Sequence, residues 1–161
     1  MSIIIREGIP EDIPSVFLLI KELAEYERAA EEVIITDKIM YEDAFGTDPA
    51  FRFIVALEND VIVGTAVYFF TYSTWKGRAM HLEDIVVSEN MRRKGIGKLM
   101  FDWLVKTAYN IGSKRFTWQV LEWNTPAIGF YKKINAQLDA EWINCKFSTK
   151  GLKNYVDLYQ L

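Results

Sequence analysis

Cysteine and histidine are almost absent from this chain of 161 residues, which contains one of each, Cys145 and His81. A single cysteine cannot form an internal disulfide bond, so we expect a reducing compartment, the cytoplasm. One histidine and no pair of cysteines give no cluster with the usual spacing of metal ligands, and they also argue against a Ser-His-Asp triad. We therefore expect no metal ion, and we expect both residues to be structural.

Long apolar runs and an excess of positive charge are also missing. The longest mostly apolar stretch, residues 61–70, contains Gly64 and Thr65 and is far shorter than the about 18–20 residues that cross a bilayer. Arg6 and Glu7 interrupt the N-terminus before the apolar core of a signal peptide could form. With 19 basic and 22 acidic residues the net charge is −3, the wrong sign for a nucleic-acid-binding face. We expect neither a membrane nor a nucleic acid as partner; the mild negative charge suits a cationic ligand, although it is also usual for soluble proteins.

Apolar and aromatic residues are plentiful, at 50% and 14% of the chain. This content is typical of a globular protein, and a chain of 161 residues can bury a core without disulfide or metal support. Neither an internal repeat nor a low-complexity tract divides it. We expect a single domain over residues 1–161.

The spacing of apolar residues predicts alternating strands and helices. Strands are expected at 3–5, 51–57, 61–72, 78–87, 115–120, 137–147 and 152–159, and helices at 10–24, 36–43, 96–111 and 124–134. This order favours an α/β fold, a mixed sheet with helices on both faces.

The segment from Glu83 to Lys98 carries the clearest chemical signal. A buried strand ends at Val87, and a basic turn with glycines opens an amphipathic helix. Free N–H groups at a helix start, together with the helix dipole, form a phosphate site. The dinucleotide fingerprint does not fit, because Met100 stands where its last glycine belongs, and the Walker A pattern does not fit, because Leu99 follows the lysine.

The pattern that does fit is Arg92-x-x-Gly95-x-Gly97, after a strand and before a helix. It resembles the pyrophosphate loop of the GNAT N-acetyltransferase superfamily. The segments 18–27, 68–75 and 122–132 resemble the diamine acetyltransferase branch, which contains spermidine/spermine N1- and thialysine Nε-acetyltransferases. Because these segments and the loop follow the family's order over almost the whole chain, the resemblance implies the GNAT acyl-CoA N-acyltransferase fold, with a central sheet splayed at a cofactor cleft.

The resemblance also implies acetyl-CoA as the cofactor, lying where two central parallel strands separate. Those strands would end at Val87 and near Val120. Unpaired backbone groups of splayed strands can be satisfied by the amides of a pantetheine arm. The cofactor-binding residues implied in this way are Ile85, Val86, Val87, Arg92, Arg93, Lys94, Gly95, Ile96, Gly97, Lys98, Asn124, Ala127 and Tyr131.

Acetyl transfer to an amine requires a proton acceptor and a proton donor. An alkyl amine with a pKa of about 10.4 is almost fully protonated at neutral pH, and the leaving sulfur must be stabilised or protonated. The resemblance implies that Glu83, directly or through water, is the base and that Tyr131 is the acid. Each residue has a plainer interpretation, a solvated strand end for Glu83 and core packing for Tyr131.

The amine site is implied by acidic and aromatic residues at the end of the first helix and beside the catalytic strand. The matching residues are Tyr26, Glu27, Asp84, Glu141 and Trp142. An exposed acidic helix end is the alternative interpretation. Ser73 stands where polyamine-specific members commonly have an acidic residue, which favours a shorter lysine-like or thialysine-like amine over a long polycation.

Three functions remain open at this point. The first is direct acetyl transfer, in a ternary complex, to a small cationic metabolite. The second is acetylation of a protein lysine or N-terminus. The third is a non-catalytic acyl-CoA-binding module, against which the presence of both Glu83 and Tyr131 argues. The resemblance further implies a homodimer, with Tyr155, Leu158 and Tyr159 as candidate contact residues.

Overall fold

The computed structural model describes residues 2–160, which divide into two compact units that meet at Gln119 and Val120 in the sequence. The strands are β1 (Ile3–Glu7), β2 (Arg52–Glu58), β3 (Val61–Ser73), β4 (Gly77–Val87) and β5 (Phe116–Thr117). The α-helices are α1 (Ile13–Tyr26), α2 (Asp37–Phe45), α3 (Ile96–Asn110), α4 (Thr125–Lys133) and α5 (Thr149–Tyr159). The expectation of one domain over residues 1–161 stays a prediction.

The first unit is built on a mixed sheet in the order β1-β2-β3-β4-β5. The pairs β1–β2, β2–β3 and β3–β4 are antiparallel, and the pair β4–β5 is parallel. Phe53 and Val55 of β2 pack with Val16 of α1 and Met40 of α2 on one face of the sheet. On the other face, Met100 of α3 approaches Gly64 of β3. Helices therefore cover residues on both faces of the sheet.

The start of α1 is fixed by an ion pair. Pro10 opens a short 3-10 turn rather than the α-helix itself, which begins at Ile13. Asp12 is buried and accepts hydrogen bonds from both terminal nitrogens of Arg6, at 2.6 and 2.9 Å, and from the Ile9 N–H at 2.9 Å. Burial alone would raise the pKa of Asp12, but Arg6 and the Ile9 N–H outweigh it and lower this pKa.

Most of the predicted elements are confirmed. The four N-terminal strands and the helices of the first unit fall within a few residues of their predicted bounds, and Thr36 caps α2 by accepting from the Ile39 N–H. The strand predicted over 115–120 is shorter, since only Phe116 and Thr117 pair with β4. In the second unit α4 begins after Asn124, as predicted.

The prediction of two C-terminal strands is wrong. The structure assigns no strand to residues 137–147, and it assigns helix α5 to most of 152–159. The Ser148 hydroxyl caps this helix by accepting from the Gly151 N–H at 3.1 Å. Leu152, Tyr155 and Tyr159 recur at helical spacing, which explains the helix once the cap is recognised.

Two kinds of feature are absent from the described part of the chain. Among residues 2–160 there is no helix both long and apolar enough to span a membrane. Within the same residues there is no group of three or more His, Cys, Asp or Glu side chains that could hold a metal ion.

Candidate active site

The sheet opens between β4 and β5. The parallel ladder contains two pairs, Met80 with Phe116 and His81 with Thr117. Strand β4 continues to Val87, still paired with β3 on its other side. The peptide groups of residues 85–87, predicted to hold a pantetheine arm, therefore lie beyond the last β4–β5 pair.

A β-bulge sets the position of the predicted base. Val67 of β3 is opposite Asp84, but the next residue, Tyr68, is opposite Leu82, so Glu83 is the extra residue of β4. Such a bulge bends the strand and changes the direction of the side chain. The Glu83 side chain is 56% exposed, and it is therefore open to a substrate or to water.

Two carboxylates, Glu83 and Glu27, lie near enough to Asp84 to affect its ionisation. Burial, followed by the negative charges of Glu83 and Glu27, raises the pKa of Asp84 to about 6. Burial also raises the pKa of Glu27, the residue directly after α1. The negative charges of Glu83 and Glu27 make ionisation of Asp84 less favourable, and a cationic ligand relieves that cost.

The start of α3 has the backbone of an anion site. Gly95 has a φ of +83°, in the left-handed region that favours glycine, and no side chain caps the helix at this residue. Arg93 and Lys94 are exposed just before it. Lys98 is also exposed, but its Nζ lies 2.5 Å from Asp102 Oδ2. The free N–H groups of the first turn, together with Arg93 and Lys94, suit a pyrophosphate.

Arg92 is engaged inside the protein rather than presented to an anion. Its Nε donates to the Val87 carbonyl at 3.0 Å, and its NH2 donates to Glu22 Oε1 at 3.1 Å. The guanidinium also lies 5.0 Å from the centre of the Tyr26 ring. The same Glu22 oxygen accepts from the Glu89 N–H at 2.7 Å, so these contacts tie the β4–α3 loop to α1. We call the pair of Arg92 and Glu22 the loop latch.

His81 has contacts on both ring nitrogens. Nδ1 lies 3.0 Å from Thr117 Oγ1, and Nε2 lies 3.7 Å from Glu83 Oε2. The sequence predicted a structural role for His81, and it included Glu22 in the segment 18–27 without giving it a role. His81 and Glu83 are two residues apart on a predicted strand, a spacing that could have signalled a shared face. The contact between Arg92 and Glu22 joins residues 70 positions apart and has no local signal.

The second unit holds the remaining predicted residues. Asn124 Oδ1 accepts from the Ala127 N–H at 3.3 Å and so caps α4. Tyr131 of α4 is buried, and burial raises the pKa of its phenol, which keeps its proton at neutral pH. Glu141 and Trp142 are exposed, with Trp142 at 73%. The roles of all these residues stay predictions.

Comparisons with known proteins agree with this geometry. Residues 17–136 match the family described as acetyltransferase (GNAT) family. The chain is 34% identical over 160 residues to thialysine N-epsilon-acetyltransferase of Mus musculus, covering 92% of this chain and 94% of that protein. It is 33% identical over 139 residues to spermidine/spermine N(1)-acetyltransferase-like protein 1 of Homo sapiens, covering 82% of this chain and 20% of that protein. An integron cassette protein of V. cholerae superposes with a TM-score of 0.80 at 26% identity, covering 97% of this chain and 98% of the other.

Proposed function

The chain belongs to the GNAT acetyltransferase family, and we propose that it transfers an acetyl group from acetyl-CoA to a primary amine of a small cationic metabolite. The transfer is direct, within a ternary complex. The observation that carries the acceptor half of this proposal is the meeting of Glu27, Glu83 and Asp84 beside the bulge of β4. A site with three neighbouring carboxylates favours a cation over a neutral or anionic acceptor.

The residues of the first unit fit acetyl-CoA. The backbone groups of residues 85–87 follow the last β4–β5 pair, where they can hydrogen-bond the amides of a pantetheine arm. The uncapped start of α3 and the exposed Arg93 and Lys94 can hold the pyrophosphate. When bound, acetyl-CoA supplies an acetyl group that is activated as a thioester.

Glu83 and Tyr131 move the protons. Glu83 is exposed and lies beside the other two carboxylates, so it can take a proton from a bound ammonium group, directly or through water. Tyr131 keeps its proton at neutral pH because it is buried, and it can give that proton to the leaving sulfur. General acid and base assistance of this kind accelerates a reaction by about 10²–10⁴-fold.

A short amine suits the site better than a long polyamine. Ser73, which stands where polyamine-specific relatives commonly have an acidic residue, is buried, and its Oγ accepts from the Lys76 N–H at 3.2 Å. It therefore stabilises the β3–β4 turn and adds no negative charge. The mouse relative, which is named for thialysine, supports the same choice.

The test is release of CoA thiol from acetyl-CoA with spermidine, putrescine, lysine, thialysine and a lysine-containing peptide. We expect turnover with thialysine or lysine and little with spermidine. Glu83→Gln should lower kcat by about 100-fold or more, whereas Glu11→Gln, an exposed acidic residue outside the site, should not. Turnover only with the peptide would replace the metabolite with a protein amine, and acetyl-CoA binding without any turnover would favour the binding module.

We further propose that the enzyme is a cytoplasmic homodimer. Apolar side chains of α5 are exposed, among them Leu152 at 55%, Tyr155 at 46% and Tyr159 at 58%. Exposed apolar surface of this kind is typical of protein contacts. Light scattering should give twice the chain mass of 18.7 kDa, and a mass of 18.7 kDa would contradict the dimer.

A further inference from the structure

We infer that His81 is a positioning residue for Glu83. The imidazole of His81 takes over the proton that Glu83 accepts and releases it to solvent. This inference rests on the proposed function, because it needs Glu83 to act as a base. It adds a residue and a path for the proton, and it explains why the histidine lies where the sheet opens.

The geometry places the imidazole between a fixed hydroxyl and the base. His81 and Thr117 form the last pair of the β4–β5 ladder, so the backbone of both strands holds Thr117 Oγ1 at 3.0 Å from Nδ1. The opposite nitrogen, Nε2, is then directed at Glu83 Oε2, at 3.7 Å. The Phe69 ring of β3, with its centre 5.1 Å from that of the imidazole, restricts the ring further.

The proposed path uses one form of the neutral imidazole, in which Thr117 Oγ1 accepts from Nδ1. If Nδ1 carries the proton and donates it to Thr117 Oγ1, Nε2 has a free lone pair that faces Glu83. Once Glu83 has accepted a proton, rotation of its exposed side chain can bring its O–H within hydrogen-bond distance of this lone pair, since such contacts are often long before substrate binds.

Each transfer in this path balances. Glu83 takes a proton from the ammonium form of the acceptor and leaves a neutral amine. The O–H bond of the Glu83 carboxylic acid then breaks as an N–H bond forms on Nε2 of His81, which gives a carboxylate and an imidazolium. The imidazolium releases the Nε2 proton to water, for which the 21% exposure of its side chain leaves access. One proton passes from the ammonium group to solvent, and both residues return to their initial state.

The surrounding charges favour this path. The Asp84 carboxyl experiences the negative charges of Glu83 and Glu27, and His81 is a basic group beside Glu83. Passing the proton to Asp84 or Glu27 would neutralise a group that binds the cationic amine. Passing it to the imidazole restores the Glu83 carboxylate, whose Oε2 lies 3.7 Å from Nε2, and leaves both acids ionised.

The chain contains a single histidine, so its imidazole can be observed directly by ¹⁵N NMR. We expect the neutral ring to carry its proton on Nδ1, and we expect Thr117→Val to move the population towards the form protonated on Nε2. Thr71→Val, on β3 and outside the site, is the matched control and should leave the spectrum unchanged. A ring protonated on Nε2 in the unsubstituted protein would overturn the inference, whatever the acceptor proves to be.

Kinetics separate proton transfer from simple packing. His81→Gln keeps a hydrogen-bonding side chain of similar size, yet it should lower kcat by about 10-fold or more with KM for acetyl-CoA changed less than about threefold. His81→Ala should lose as much kcat and regain part of it on addition of imidazole. Full activity of His81→Gln, or no effect of imidazole on a folded His81→Ala protein, would overturn the inference. Absence of turnover in the unsubstituted protein with every amine would instead overturn the proposed function.

Discussion

The half-buried carboxyl group of Asp84 links solution pH to the binding of a cationic amine. Burial and the charges of Glu83 and Glu27 raise its pKa to about 6, so it is mostly neutral below that pH. We predict that KM for the amine rises about tenfold as the pH falls from 7.5 to 5, while KM for acetyl-CoA changes little. Asp84→Asn should flatten this dependence, and Asp60→Asn, in the exposed β2–β3 turn, should not. An amine KM that is independent of pH would contradict the prediction.

Removal of a single oxygen atom, the hydroxyl of Tyr131, distinguishes an enzyme from a binding module. Removing the hydroxyl with Tyr131→Phe keeps the buried ring and removes only the proton donor. We expect kcat to fall by about 10²-fold or more while the Kd for acetyl-CoA stays within about threefold. Tyr109→Phe, at a tyrosine of α3 that is 83% exposed, is the control for loss of a phenol hydroxyl. Unchanged turnover of Tyr131→Phe would remove Tyr131 from the mechanism.

At the same scale, the residues that sequence could predict are those marked by a local pattern. Gly95 stands between a basic turn and a helix, so the anion site is marked by its neighbours in the chain, whereas the roles of Glu83 and Asp84 are implied only by the family resemblance and stay predictions. The contact of His81 with Thr117 depends on strand pairing across 36 positions. Local patterns contain no information on that pairing, so they could not place His81 beside Thr117.

At the scale of elements, the loop latch connects the two halves of the candidate site within the first unit. It joins the loop that leads to the start of α3 with the helix whose end carries Glu27. We predict that Arg92→Gln and Glu22→Gln each raise KM for acetyl-CoA and for the amine by about 3–10-fold. Because both substitutions break one interaction, the double variant should be little worse than either, with a coupling of about 0.7–1.4 kcal/mol, the equivalent of 3–10-fold. Lys106→Gln, an exposed charge on α3, is the control, and additive effects in the double variant would contradict the latch.

The helix α5 shows where element prediction from sequence failed. Its aromatic and β-branched residues favour a strand by propensity, which led to the predicted strand over 152–159. The cap at Ser148 and the spacing of Leu152, Tyr155 and Tyr159 favour a helix instead. By contrast α3, which combines strong periodicity with a glycine before it and Gly112 after it, was predicted almost to the residue.

At the scale of the whole molecule, the carboxyl groups of the first unit set opposite dependences of stability on pH. The folded-state pKa of Asp12 is lowered, so its ion pair with Arg6 contributes stability at pH values above the ordinary pKa of 3.8, and this contribution is lost as the pH falls through the folded-state value. The folded-state pKa of Asp84 is raised from 3.8 to about 6, so the folded protein binds the extra proton between these values. Stability therefore decreases as the pH rises through that range.

These opposing effects predict a maximum in the free energy of unfolding near pH 4, where the contribution of Asp12 is present and the cost of ionising Asp84 is still small. The loss from pH 5 to pH 7.5 should be about 1–3 kcal/mol, since one pKa unit corresponds to about 1.4 kcal/mol. Urea unfolding across this range measures it. Asp84→Asn should be more stable than the unsubstituted protein at pH 7.5 and equal to it near pH 4, because the amide has no charge to bury. Asp12→Asn should instead lower the free energy of unfolding at pH 7.5. A stability maximum above pH 7, retained in Asp84→Asn, would mean that ionisation of Asp84 does not destabilise the folded protein. The predicted result would mean that the acceptor site is maintained at the expense of stability.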